Sequence, residues 1–262
     1  MIADPLALFD ELVIARDGTL AVPDRWQQGR GAFGGFVTGA MCRALEASTP
    51  DRPLRSLTAE LCGPLLAGDA TVELDVLRAG NAVTTTAVRI VQAGEVVAHG
   101  VGVLGKTRVT DRDRIVLAPP ALTPWRDVAP APLAAPLGPT FAEHFEFRVT
   151  GALPFSGPSD TVEGWIRPRR PGPTRDAAFL AACIDTYWPT LFALEKQPRP
   201  MATIAFTFQP IVRFEGLDPD APLAFRARLV ASADGYGVEY RELWGEDGRL
   251  LALNQQTLVI IK

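Results

Sequence analysis

Polar side chains interrupt two segments of this sequence that otherwise have the composition of a protein core. The strand-like segment LLALNQQTLVII, at 250–261, carries Asn254 and Gln256 in line with its apolar row, and the helix-like segment AAFLAACIDTYWP has Asp185 as its one charged residue. A buried amide or carboxylate is costly unless it is hydrogen-bonded, paired or used in function. A carboxylate can act as a general base toward water, and hydrogen-bonding side chains can orient that water.

Each of these groups also has a structural explanation. Asp185 can pair with one of the many arginines, and the amide of Gln256 can be satisfied by the backbone or by Asp185. A hydroxyl is available nearby, because the segment MATIAFTFQPIV follows the Asp185 segment. Strict alternation in a strand places Thr203 and Thr207 together on the face opposite Phe206. The alternation leaves open which threonine belongs to the site.

The elements that must position these residues occur in the same order twice. The helix-like segment GGFVTGAMCRALEAS precedes four strand-like segments, and a second helix, capped by Asp176 or Thr174, precedes four more. A helix that is apolar nearly all round must be buried on all sides. We therefore predict an α+β fold of two repeated units, each a curved antiparallel sheet wrapped around a central helix. The predicted units are residues 1–118 and 140–262, joined by a Pro/Ala-rich linker at 119–139.

Four short motifs in this order resemble those of the type II acyl-CoA thioesterases, which have a tandem double-hotdog fold. The motifs are FGGFVTGA at the first helix, AACIDTYWP in the second helix, ATI in the strand after it, and the glutamine of the last strand. The resemblance implies an acyl-CoA substrate, hydrolysis without a cofactor, and a homo-oligomer whose sheets pair edge to edge. It also implies that Asp185, Thr203 and Gln256 form the active site, and it favours Thr203 over Thr207.

The resemblance implies a specific catalytic role for each of these residues. Asp185 is the expected general base for water, while Thr203 and Gln256 orient that water or hydrogen-bond the thioester oxygen. The backbone N–H groups of Gly34 and Gly35, at the start of the first helix, are expected substrate-binding groups for the oxyanion. Tight packing between a helix and a strand is the alternative explanation for these glycines.

The sequence departs from the family pattern at one place. The family has an acidic residue and a histidine after the ATI motif, whereas Ala205 and Phe206 stand there in this chain. The substitution makes the surroundings of the predicted site more apolar. It leaves the preferred acyl group open, along with the choice between CoA and an acyl carrier protein as the leaving group.

The repeat provides an internal comparison for the three predicted catalytic residues. Aligning the two halves by their prolines and glycines places Thr203 over Leu57 and Gln256 over Gly102, with Asp185 over roughly Gly39. The first half is therefore predicted to lack all three polar groups. Groups needed only for packing would tend to occur in both halves, so the difference favours a single active site in each chain.

The composition of the chain and the surroundings of its short motifs argue against nucleic-acid binding, nucleotide binding and metal binding. With 26 basic and 30 acidic residues, the net charge of −4 provides no field that would recruit nucleic acid. The segment GVGVLGKT, at 100–107, matches a P-loop pattern, but its alternation continues a strand and indicates an ordinary glycine-containing strand. The three cysteines lack metal-ligand spacing, so no metal site is predicted.

The same features indicate where the protein works. The N-terminus has no signal peptide pattern, and no apolar run is long enough to span a bilayer. We therefore expect a cytoplasmic protein with reduced cysteines and no membrane partner. The competing function is a non-catalytic one, in which the fold holds an acyl ligand or serves as a scaffold without turnover.

Overall fold

The computed structural model describes residues 12–109, 114–133, 138–157, 159–172, 174–211, 216–218 and 220–261. The first half contributes β1 (Thr19–Val22), β2 (Gln27–Gln28), β3 (Gly31–Ala32), α1 (Gly34–Ser48), β4 (Leu54–Leu61), β5 (Gly68–Ala79), β6 (Val83–Gln92) and β7 (Glu95–Gly105). The second half contributes β8 (Phe145–Val149), β9 (Thr161–Pro168), α2 (Ala177–Ile184), α3 (Leu191–Leu194), β10 (Met201–Pro210), β11 (Leu223–Ala233), β12 (Tyr236–Gly245) and β13 (Leu250–Ile260). Both halves thus place four long strands after a buried helix.

One large antiparallel sheet runs through both halves. Its eleven strands lie in the order β1-β5-β6-β7-β4-β10-β13-β12-β11-β9-β8, and a separate small sheet joins β2 to β3. The halves meet where β4 pairs with β10, with Ala59 opposite Phe206 and Thr58 opposite Thr207. Because β10 carries Thr203 and also pairs with β13, the strands that carry the predicted site lie at the centre of this sheet.

The two long helices form a buried pair against the sheet. All eight residues of α2 are buried, as are ten of the fifteen residues of α1. The Asp176 side chain caps α2 by accepting a hydrogen bond from the N–H of Phe179, which confirms one of the two caps predicted for this helix. The helix ends at Ile184, so Asp185 is its C-cap residue rather than an interior residue.

Small residues allow the two helices to approach closely. A Cβ atom on Gly35 would lie 2.8 Å from the Cα of Ala182, and one on Gly39 would lie 3.4 Å from the carbonyl oxygen of Ala178. Gly35 meets Ala182, and Gly39, four residues later on α1, meets Ala178, four residues earlier on α2. The helices therefore run antiparallel. This arrangement brings the C-terminal end of α2, with Asp185, to the N-terminal end of α1.

We expect the substitution Gly35→Ala to destabilise the protein by about 1–3 kcal/mol, because the new methyl group would lie 2.5 Å from the ring of Phe33 and also 2.8 Å from the backbone of Ala182, which cannot move aside. Gly39→Ala is the matched control on the same helix. Its methyl group makes only a close contact, and alanine favours the helix by about 1 kcal/mol over glycine. Urea unfolding of both variants measures the difference, and equal stability of the two would contradict this account of the helix contact.

The outer side of the second half is covered by residues that follow the first half. Trp125 packs in a buried cluster with Trp165, Trp244 and Leu250, and the indole N–H of Trp165 donates a hydrogen bond to the carbonyl of Thr123. This Pro-rich stretch therefore lies on the sheet, although residues 134–137 of the predicted linker fall outside the described residues.

Candidate active site

The three predicted catalytic side chains contact one another. The hydroxyl of Thr203 donates to Oε1 of Gln256 at 2.7 Å, and Nε2 of Gln256 donates to Oδ1 of Asp185 at 2.6 Å. Gln256 is fully buried, and Asp185 is 9% exposed. The structure thus brings a hydroxyl, an amide and a carboxylate from β10, β13 and the end of α2 into one hydrogen-bonded chain.

Thr203 reaches this chain because of an irregularity in β10. The pairing with β13 shifts between Thr203 and Ala205, which leaves Ile204 as an extra residue and places Thr203 opposite the buried Leu258. Such a bulge reverses the facing of the residues before it. The expected alternation, with Thr203 on the same face as Thr207, is therefore wrong. Thr207 lies opposite Gln255, which is exposed, and so faces away from the site.

Neighbouring residues of β13 explain how buried amides are tolerated in this strand. Nδ2 of Asn254 donates to the carbonyl of Thr207 at 2.9 Å, and its Oδ1 accepts from Nε2 of Gln256 at 3.0 Å. Both hydrogens of the Gln256 amide are therefore used, one on Asn254 and one on Asp185. The polar interruption noticed in the sequence is a fully hydrogen-bonded network around one carboxylate.

The start of α1 borders the same carboxylate. A Cβ atom on Gly34 would lie 2.6 Å from Oδ2 of Asp185, so the absence of a side chain leaves room for that oxygen. The backbone N–H of Gly35 at this helix start lowers the pKa of the Asp185 carboxyl, and the positive end of the helix dipole favours its charged form. These contacts link Gly34 and Gly35 to Asp185, a connection that the sequence did not indicate.

Two charged residues of β12 complete the site, and the sequence analysis missed both. Nη1 of Arg241 lies 3.2 Å from Oδ1 of Asp185, and Nε of Arg241 donates to Oε1 of Glu239 at 2.6 Å. The salt bridge that was considered as an alternative at Asp185 is thus present, together with the bond from Gln256. A signal existed in the segment GVEYRE, where the charged Glu239 and Arg241 alternate with Val238 and Tyr240. The charged residues of this alternation face the core.

Burial dominates the electrostatics of Asp185. Desolvation raises the pKa of its carboxyl from the usual 3.8 to about 6, against the lowering effects of Arg241, Gln256 and the N–H of Gly35. The negative charge of Glu239 adds to the rise. A carboxyl with a pKa near 6 is ionised at neutral pH and still basic enough to accept a proton from water.

The first half has apolar residues at the matching positions. Gly102 lies opposite Leu57 on β4, just as Gln256 lies opposite Phe206 on β10. The strand β4 has a register shift between Leu54 and Ser56, in the same place as the shift in β10.

The repeated register shift corrects the alignment of the two halves. The shift follows Thr203 in β10 and Leu54 in β4, so Thr203 corresponds to Leu54 and not to Leu57. The alignment by prolines was therefore wrong by three residues. Leu54 is 2% exposed, so the conclusion that the first half has an apolar side chain at this position is unchanged.

The remaining predicted match, between Asp185 and Gly39, also needs correction. Gly39 packs against Ala178 at the helix crossing. The helix side chain that meets the counterpart of Gln256 is Leu45, whose Cδ1 would lie 2.5 Å from a Cβ atom on Gly102. Leu45 is fully buried. A leucine packed on a glycine thus takes the place of the carboxylate and amide of the second half.

The residues that replace the acid and histidine of the family pattern face opposite sides of the sheet. Phe206 is fully buried and lies opposite Gln256, while Ala205 lies opposite Thr257. Opposite residues of a strand pair share a face, so the ring of Phe206 forms an apolar wall beside the Gln256 amide.

Other candidate sites considered from the sequence have different structures. Residues 100–105 of the P-loop-like segment lie within β7, and no α-helix occurs in the described residues 106–109 and 114–133 that follow. His99 pairs with Glu60 on the exposed side of β7. Across the described ranges, no group of three His, Cys, Asp or Glu side chains is arranged to hold a metal ion. None of the helices seen in these ranges is long and apolar enough to cross a membrane.

Comparisons with known proteins identify related families and folds. A family model for the C-terminal domain of acyl-CoA thioesterases matches residues 120–260, and a model for the N-terminal domain matches residues 22–105. Among curated proteins, none matches this chain.

Solved structures show the same fold. A conserved protein of unknown function with a hotdog fold, from Alicyclobacillus acidocaldarius, is 26% identical with a TM-score of 0.85, and 97% of each chain is covered. The acyl-CoA thioesterase II TesB2 from Mycobacterium marinum is 19% identical with a TM-score of 0.72, covering 93% of this chain and 92% of its own. These neighbours confirm the predicted hotdog fold.

Proposed function

The chain belongs to the acyl-CoA thioesterase family, and we propose that it hydrolyses acyl-CoA thioesters to a free acid and CoA at the site around Asp185. The observation that carries this proposal is the hydrogen-bonded chain from Thr203 through Gln256 to Asp185. Thioester hydrolysis requires a base for water, and a buried carboxylate with a pKa near 6 can serve as that base.

The proposed reaction uses Asp185 as the general base. The carboxylate removes a proton from a water molecule as the water oxygen attacks the thioester carbonyl carbon. The resulting tetrahedral intermediate collapses when its C–S bond breaks, and the CoA thiolate leaves with the proton that Asp185 removed from water, which restores the carboxylate. We assign Oδ2 of Asp185 to the water, because Arg241 and Gln256 both bond to Oδ1 and because Gly34 keeps space beside Oδ2.

The amide geometry supports one of the two roles that the sequence left open for Gln256. Since both amide hydrogens are already donated to Asp185 and Asn254, Gln256 is suited to hold Asp185 rather than to bind the thioester oxygen. Thr203 fixes the orientation of the Gln256 amide through Oε1. We assign the oxyanion to the backbone N–H of Gly34 at the start of α1, and Gly35, whose N–H is directed to Asp185, is the second substrate-binding residue through its lack of a side chain.

We also propose that the chain is a double hotdog. The order of helix and four strands in each half, the repeated register shift and the two family models support this organisation. The proposed units remain 1–118 and 140–262, with 119–139 as the linker between them. A homo-oligomer and a cytoplasmic location stay predictions from the sequence.

Release of free thiol from a panel of acyl-CoA esters tests the proposed activity. The panel varies acyl length, branching and aromatic character, and a parallel set of acyl carrier protein thioesters distinguishes the two leaving groups. We expect release above the uncatalysed rate for at least one acyl-CoA ester. No release from any member would contradict the hydrolase proposal.

One observation favours the second function, binding without turnover. Arg241 forms a buried ion pair with Asp185, and a carboxylate held in this way is a weaker base than an unpaired one. A binding protein would show a rise in melting temperature with an acyl-CoA ester but no thiol release. Thermal melting with and without each ester therefore accompanies the thiol assay.

A further inference from the structure

Two buried charged residues, Arg241 and Glu239, form a triad with the predicted base Asp185. Arg241 is 2% exposed and Glu239 is 0% exposed, and both point to the inner face of β12. They lie directly opposite the amides of β13, with Glu239 opposite Gln256 and Arg241 opposite Asn254. Two charges and two amides on adjacent strands therefore form one network with Asp185, in which Arg241 and Gln256 make the direct contacts.

The contacts of Arg241 fix its guanidinium in one place. Nη1 bonds to Oδ1 of Asp185 and to the carbonyl of Ile184, the last residue of α2, at 3.3 Å. On the other side, Nε and Nη2 contact Oε1 of Glu239, and Oε2 of Glu239 accepts from the N–H of Thr190. A planar guanidinium can make these contacts at once, which an ammonium group cannot.

The first half has no such triad. By strand pairing, Thr86 opposite Gly102 corresponds to Glu239, and Val88 opposite Gly100 corresponds to Arg241. The fold therefore tolerates uncharged residues at both positions. Burying a charged side chain costs desolvation free energy, and a buried ion pair often adds little to stability. The charges occur in the half that has the carboxylate.

We propose that Arg241 is a positioning residue that keeps Asp185 ionised and directs Oδ1 to Gln256, and that Glu239 holds Arg241 in place and limits how strongly it acts. The proposal rests on the proposed function of Asp185 as the base. Within the described residues, these are the charged groups that act on Asp185, while α1 contributes the N–H of Gly35 and β13 the amide of Gln256.

The proposal predicts opposite shifts in two variants. In Arg241→Met the Asp185 carboxyl loses its positive neighbour, so its pKa should rise by about one unit or more. In Glu239→Gln it loses a negative neighbour, so its pKa should fall. Arg241→Lys keeps the charge and should restore part of the wild-type value. Arg228→Met is the control, because Arg228 pairs with Glu242 and lies opposite the exposed Tyr240 on the other face of the sheet.

Two measurements read these shifts. The first is the pH profile of kcat/KM for thioester hydrolysis. Its acidic limb should move to higher pH in Arg241→Met and to lower pH in Glu239→Gln. The second is a ¹³C NMR titration of protein labelled at the aspartate carboxyl carbons, with the Asp185 signal assigned from Asp185→Asn. The wild-type titration should have its midpoint at about 6.

The outcomes separate the two proposals. Opposite shifts in the titration support the role of Arg241 even if no thioester is hydrolysed, in which case the hydrolase proposal alone fails. A residue that only supports the fold would lower activity at every pH without moving either midpoint, and that result would overturn the role. If Arg241→Met does not fold, the same decision rests on Glu239→Gln, for which an unmoved midpoint counts against the proposal.

Discussion

Replacement of Asp185 by asparagine is expected to lower the turnover of acyl-CoA esters by about 10²- to 10⁴-fold, the usual contribution of a general base. The amide cannot accept a proton from water, but its oxygen can still accept the hydrogen bond now donated by Gln256. Folding should therefore persist, and thiol release measured at neutral pH reports the chemical loss. Circular dichroism and a melting curve establish that the variant is folded.

Asp176→Asn is the matched control for this experiment. Asp176 caps the other end of the same helix, nine residues and about 13 Å away along the axis. Asparagine caps helices about as well as aspartate does, so this variant should keep the activity of the unmodified protein. Unchanged turnover in Asp185→Asn would exclude Asp185 as the base, and an equal loss in both variants would indicate a general effect on α2.

Gln256→Met is expected to give the second large loss, about 100-fold in turnover, because Asp185 would no longer be held in one orientation. Methionine has a similar size but cannot donate to Asp185 or Asn254, nor accept from Thr203. Leaving buried acceptors without donors also costs about 1–3 kcal/mol of unfolding free energy. Urea unfolding and thiol release on the same sample measure the two effects.

The neighbouring residue provides the control for Gln256→Met. Gln255 is exposed and lies on the opposite face of β13, so Gln255→Met should change stability by no more than about 0.5 kcal/mol and leave turnover unaltered. A Gln256→Met protein with full activity would show that the amide serves only to fill the core.

The sequence predicted the meeting of Asp185, Thr203 and Gln256 because each is a polar group in an apolar segment and because the motifs resembled a known family. The facing of Thr203 could not be predicted in the same way. A bulge at Ile204 changes which side of β10 faces the core, and single extra residues leave no mark in a pattern read by alternation.

The charged pair of β12 was missed for a different reason. Arg241 faces the core because two carboxylates neutralise it there, that of Glu239 on the same strand and that of Asp185 more than fifty residues earlier in the chain. A partner so distant in sequence cannot be inferred from local composition. The available signal was the alternation of charged and apolar residues in β12, where the charged residues face the core. This pattern indicates a buried ion pair only when the carboxylate that meets the arginine is already known.

The contact between Gly35 and Asp185 makes the site a joint product of both halves of the chain. The carboxylate belongs to the second half, but the helix end beside it and the strand that pairs with β10 belong to the first. The first half can therefore dispense with its own polar groups while remaining indispensable as a structural partner. The second half, cut away from the first, would keep its acid, hydroxyl and amide and still lack the helix end that lies against the carboxylate.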